Sequence, residues 1–122
     1  MINQENFLLK KDKEYRVYIY DLSSEDKQKE VEIVSGFVSL DHANLFAQCY
    51  VRDSIERCRT PTSSAEEVYH LWLNFGEDVK VLSHDEILWD SRDEVNGFIE
   101  NGSSHMQRNW RSIDPRALKE ED

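Results

Sequence analysis

Glycine and cysteine are scarce in this chain, and positive charge falls well short of negative. The four glycines, Gly36, Gly76, Gly97 and Gly102, are scattered, so no glycine-rich loop exists to wrap backbone N–H groups around a nucleotide phosphate. Nucleotide-dependent catalysis is not expected. The two cysteines, Cys49 and Cys58, fall on one predicted helix, which points them to opposite sides and separates their Cα atoms by roughly 13 Å. A disulfide cannot span that gap. Reduced thiols and a cytoplasmic location are the expectation, and each cysteine reads as a small buried residue because no histidine lies within a helical turn of either.

Lysine and arginine together number 15 against 25 aspartates and glutamates, a formal net charge of −10. That balance leaves no basic surface broad enough to neutralise a run of phosphates and argues against direct DNA or RNA binding. The acidity suits solubility, or steering toward a basic protein. No apolar run approaches the roughly 18 to 20 residues of a membrane span, and Met1-Ile2-Asn3-Gln4-Glu5 lacks the basic and apolar regions of a signal peptide. Neither membrane association nor export is expected. With 122 residues, 39% of them hydrophobic and 33% charged, the chain supports one domain with one modest core.

Residues 1–13 mix Phe7-Leu8-Leu9 with Lys10, Lys11 and Lys13 without a sustained period, and read as a flexible arm or short edge segment. From there the chain turns regular. Tyr15, Val17 and Ile19 alternate with Arg16, Tyr18 and Tyr20, the period of a strand with one buried face. A second strand is expected to place Val31, Ile33, Ser35 and Phe37 on one face, with Val34 and Val38 on the face shared with Tyr18. Leu22 to Glu30 is too long and too charged for a tight turn and reads as a mobile hairpin loop.

Ser39 is a natural N-cap, and Leu40, Ala43, Ala47, Tyr50, Val51, Ser54 and Cys58 recur at helical spacing up to a stop at Thr60-Pro61. Ser64-Ala65-Glu66-Glu67 is a capping box, followed by a stripe of Ala65, Val68, Leu71, Trp72 and Phe75. Gly76 is expected as a left-handed helix stop before a third strand over Val79 to Leu82. Ser91 to Glu94 repeats the capping-box pattern ahead of a short helix ending at Gly102. The fold class is therefore α+β: a three-stranded, mainly antiparallel sheet with two or three helices on one face, in the order β-β-α-α-β-α. The domain spans 14–102, and a C-terminal tail of 103–122 carries Trp110, Ile113 and Leu118, apolar residues that need cover.

Tyr15-Arg16-Val17-Tyr18-Ile19-Tyr20-Asp21, then Ser64-Ala65-Glu66-Glu67-Val68-Tyr69, then Phe75-Gly76-Glu77-Asp78 occur in an order and spacing that resembles a group of small uncharacterised bacterial α/β proteins. The resemblance covers roughly Tyr15 to Asn101. It implies a fold and a bacterial origin, and it brings no activity or catalytic residue with it.

The chemistry-bearing residues form no recognisable motif. His84-Asp85-Glu86 with Asp90 is the best metal or acid/base candidate, yet no His-x-x-x-His or Cys-x-x-Cys spacing accompanies it. Glu77 and Asp78 form an anionic site with Glu66 or Glu67 only where the fold gathers them. His42, His70 and His105 are isolated and read as surface or packing residues. No catalytic, cofactor-binding or metal-ligating residue is assigned, and no cofactor is expected. What remains is a surface: Arg16, Tyr18, Tyr20 and Val34 on the non-core face of the hairpin, with Trp110 from the tail, include residue types enriched at interface hot spots. The expected function is a non-enzymatic protein-interaction or regulatory module whose partner is another protein or a second copy. The alternatives are a small metal-dependent hydrolase and an acidic nucleic-acid mimic that inhibits a basic protein.

Overall fold

The computed structural model describes residues 14–120; the arm of residues 1–13 lies outside them. Tyr15–Asp21 (β1) and Glu30–Val34 (β2) form an antiparallel pair, followed by helices Leu40–Arg57 (α1) and Ala65–Phe75 (α2). Strand Glu77–Ser83 (β3) lies antiparallel beside β1, and Glu86–Asp90 (β4) pairs with β3. Val95–Asn101 (α3) and Pro115–Glu120 (α4) complete the α-helices of the described residues, and short 3-10 turns cover Ser91–Asp93, Met106–Arg108 and Trp110–Ile113. None of these helices is long and apolar enough to cross a membrane.

The class is α+β, with a four-stranded antiparallel sheet ordered β2-β1-β3-β4. The fourth strand corrects the expected three. β4 is short, begins and ends on acids, and slips register between Val81 and Leu82, so its apolar residues do not keep the simple alternation that marks a strand in sequence.

One face of this sheet is sealed. Val17 sits opposite both Val34 and Val81, and Ile19 opposite Val79; all five side chains are fully buried. Directly opposed residues share a face, and here α1 supplies Ala43, Phe46, Ala47, Tyr50, Val51 and Ile55 against them. Val34 therefore belongs to the core face, which corrects its expected place beside Tyr18. The inversion has a local cause: a bulge opposite Ile19 and Tyr20 leaves Val31 without a partner, and Val31 and Ile33 end up exposed. Phe37 still reaches the core because Gly36, at φ +96°, turns the chain in between.

The helix starts follow their sequence signals. Ser39 accepts a bond from the His42 N–H, and Ser64 with Glu67 closes a reciprocal capping box. α2 buries only Val68 and Trp72; Leu71 and Phe75 of the expected stripe stay exposed, because this helix meets the core along a narrow strip. Gly76 is not left-handed. Its backbone is extended (φ −89°, ψ −164°), and its lack of a side chain serves Trp72, whose indole lies where a Cβ would be. At the start of α3 the expected capping box is absent: Glu94 holds the cap position without a side-chain capping bond and accepts instead from the Trp89 indole N–H, while Ser91 turns inward to Asp78. Gly102, at φ +67°, does close the helix in the left-handed region.

Candidate interaction surface

The face of the sheet opposite the core carries Arg16, Tyr18 and Tyr20 from β1, side by side with residues from the other three strands. Tyr18 is flanked by Ile33 and Lys80, Arg16 neighbours Leu82, and Leu82 neighbours Ile87. Ile33 and Ile87 are 46% and 51% exposed, and none of these side chains belongs to the packed core. Polar contacts also run across the face. The Lys80 ammonium lies 5.2 Å from the centre of the Tyr20 ring and 3.9 Å from the Asp90 carboxylate. Partial burial, and then the charges of Glu30, Asp78, Tyr18 and Asp90, push the Tyr20 phenol upward, so it stays a proton donor at neutral pH.

Where β1 runs into the hairpin loop, this face ends in an open pocket of about 480 Å³ lined by Tyr20, Lys27, Gln28, Asp78, Lys80 and Arg92. Asp78 is its buried floor. Ser91 donates to Asp78, which is also 3.3 Å from the Arg92 guanidinium, so the carboxylate is fully engaged within the fold.

A second polar cluster lies on the core side. The Tyr50 hydroxyl donates to Glu77 (3.1 Å), Arg57 donates to the same carboxylate (2.8 Å) and approaches Asp53 at 3.8 Å, and the Trp110 Nε1–H donates to Asp53 (3.2 Å). Burial, followed by the charge of Glu77, pushes the Tyr50 phenol well above its ordinary range. That direction takes it away from acid/base work near neutrality, and the cluster reads chemically as a clasp.

The clasp holds the C-terminal segment. Trp110 packs on Tyr50 and Phe46, with ring centroids at 4.8 and 5.9 Å, so it is a packing residue, which corrects its expected place on the interaction surface. His42 contributes a second tie: its Nδ1 accepts from the Val38 N–H while Nε2–H donates to the Ile113 carbonyl (2.8 Å), a pattern that the neutral ring satisfies at both nitrogens. Arg116 makes the third, bridging Asp114 (2.9 Å) and Glu32 on the edge strand.

That third tie predicts an acid response. Burial acts to raise the Asp114 carboxyl, but the hydrogen bonds and charge of Arg116 outweigh it and hold the group below its usual range. A carboxyl depressed in the folded state contributes stability that is fully present above its unfolded value near 4 and is lost as pH falls through the folded value. Asp114→Asn is expected to cost about 1–2 kcal/mol at pH 7, with the gap to the parent protein closing in urea unfolding as pH falls below about 4. A gap constant down to pH 2 contradicts this reading.

The remaining candidates stand apart. His84 occupies the β3–β4 turn at φ 57°, whereas Asp90 ends β4, roughly 15–20 Å along the chain at strand rise. Glu77 and Asp78 point to opposite faces of β3, and Glu67 is committed to its cap. Among the described residues no three His, Cys, Asp or Glu side chains gather into a metal-binding group. Comparison with protein-family models, curated proteins and solved structures returned no match, so the functional reading rests on this geometry.

Proposed function

We propose that this protein is a non-enzymatic interaction module that binds a protein partner through the open face of its sheet. One observation carries the reading: Arg16, Tyr18 and Tyr20 lie in a row between exposed Ile33 on one side and Lys80 and Leu82 on the other. Tyrosine and arginine on a rigid, partly apolar platform match the composition of interface centres. Arg16 already pairs with Glu14 at 3.1 Å, so covering the face does not strand its guanidinium.

A second copy is the less favoured occupant, because a chain of net charge −10 repels itself. The free thiols Cys49 and Cys58 suit a reducing cytoplasm. The hydrolase alternative gains nothing from His84 in the β3–β4 turn and Asp90 at the far end of β4, and the mimic alternative gains nothing from carboxylates interleaved with Arg57, Arg59, Arg92 and Arg116 in ion pairs.

Affinity capture with parent and variant proteins tests the reading. Tyr18→Glu is expected to weaken the captured complex by about 30-fold or more, the scale of a hot-spot residue. Leu45→Glu, an exposed position on α1, serves as the control and leaves binding unchanged. Equal loss in both variants, or in neither, contradicts the assignment. Sedimentation velocity separates a foreign partner from self-association.

A further inference from the structure

The pocket at the end of the open face runs against the charge of the molecule that holds it. In a chain of net charge −10, three cationic side chains, Lys27, Lys80 and Arg92, line one concavity together with a single carboxylate. That carboxylate, Asp78, is buried and already held by Ser91 and Arg92. The cations are less well satisfied. Among the described residues Lys27 meets no carboxylate and rests on the Leu73 carbonyl (3.3 Å), and Lys80 reaches Asp90 only at 3.9 Å. An ion pair of that length between partly exposed side chains contributes little and is readily exchanged for a better acceptor. Glu30, opposite Tyr20 across the β1–β2 pair, Asp90, and Asp26, which accepts from the Gln28 N–H at 3.1 Å, are acids near the pocket, and none of them lines it.

We infer that this pocket takes a phosphoryl group carried on a side chain of the protein partner, an inference that rests on the open-face reading above. A phosphate dianion has enough acceptor positions for two ammonium groups, a guanidinium edge, the Tyr20 hydroxyl and the Gln28 amide, more than a carboxylate can engage. The volume of about 480 Å³ exceeds a bare phosphate and leaves room for the side chain that bears it. Continuity with Tyr18 and Ile33 gives the flanking peptide an apolar bed. At physiological salt charges more than about 8 Å away are largely screened, so a bound phosphoryl group responds to the cations around it more than to the net charge of the protein.

Titration of the isotope-labelled full chain at constant ionic strength, with inorganic phosphate and with a short peptide bearing one phosphoserine between apolar residues, tests this. Saturable amide shifts are expected at Tyr20, Lys27, Gln28, Lys80 and Arg92, with the phosphopeptide binding about tenfold tighter than phosphate and its unphosphorylated form at least tenfold weaker. Lys27→Gln and Lys80→Gln should each weaken binding by about tenfold without moving the unfolding midpoint. Shifts that never saturate, or that persist unchanged in both lysine variants, overturn the site. Phosphate binding as tightly as the phosphopeptide overturns the partner-borne source. Loss of partner capture by Tyr18→Glu with no phosphate response removes the pocket and leaves the face standing; phosphate binding with partner capture unaffected by Tyr18→Glu does the reverse.

Discussion

Gly76→Ala is expected to destabilise the protein by about 3 kcal/mol, the upper part of the range for forcing an extra carbon into a filled core. A Cβ at this position would stand 2.3 Å from Cδ1 of Trp72 and 2.8 Å from both Cγ and Nε1. Trp72 has nowhere to go, since it is completely buried and Arg92 lies over its ring at 5.5 Å. The backbone is not the cause, because the extended conformation at Gly76 suits any residue. Urea unfolding should show a lowered midpoint at unchanged slope, and Trp72→Phe in the Gly76→Ala background should recover at least about 1 kcal/mol as a coupling energy. An alanine variant within about 0.5 kcal/mol of the parent would mean that the indole does not sit where it is described.

Trp110→Ala is expected to cost about 2–3 kcal/mol, less than the usual 3–5 kcal/mol for a fully buried tryptophan because Trp110 is half-buried. The loss comes from two sources, contact with Phe46 and Tyr50 and the bond from Nε1 to Asp53. Trp110→Phe keeps most of the contact and forfeits the bond, for about 1 kcal/mol. Because the clasp lies on the core side, neither variant should alter partner capture through Tyr18. A C-terminal segment that merely lay over α1 would give no stability change in either.

The two cases also mark what the sequence could convey. Alternation placed Val17 and Ile19 inside, and the Ser64 capping box fixed the start of α2, because each signal is complete within a few residues. Val34 could not be placed that way. Ile33 and Val34 are both apolar, and the choice between their faces depends on which of them meets Val17 across the sheet. Phe46 lies within the α1 span read from the sequence, yet the chosen stripe passed over it, and it is fully buried. Gly76 looked like an ordinary helix stop because its reason is an indole one turn earlier. The Trp110–Asp53 bond joins positions 57 residues apart, so nothing local announced it; the only sign was an aromatic residue in need of cover. The row Arg16, Tyr18 and Tyr20 was legible from period alone, whereas the cationic pocket was not, since Lys27, Lys80 and Arg92 come from three separate segments.

A sheet with one sealed face and one open face underlies the proposed recognition, and methyl relaxation by a soluble gadolinium chelate reads that asymmetry directly. Ile33, Leu82 and Ile87 should relax strongly, while Val17, Ile19, Val34 and Val81 stay close to the slow limit set by the core. Strong relaxation at Val34 with protection at Ile33 and Leu82 would show the sheet covered on the other side and would contradict the proposed recognition face.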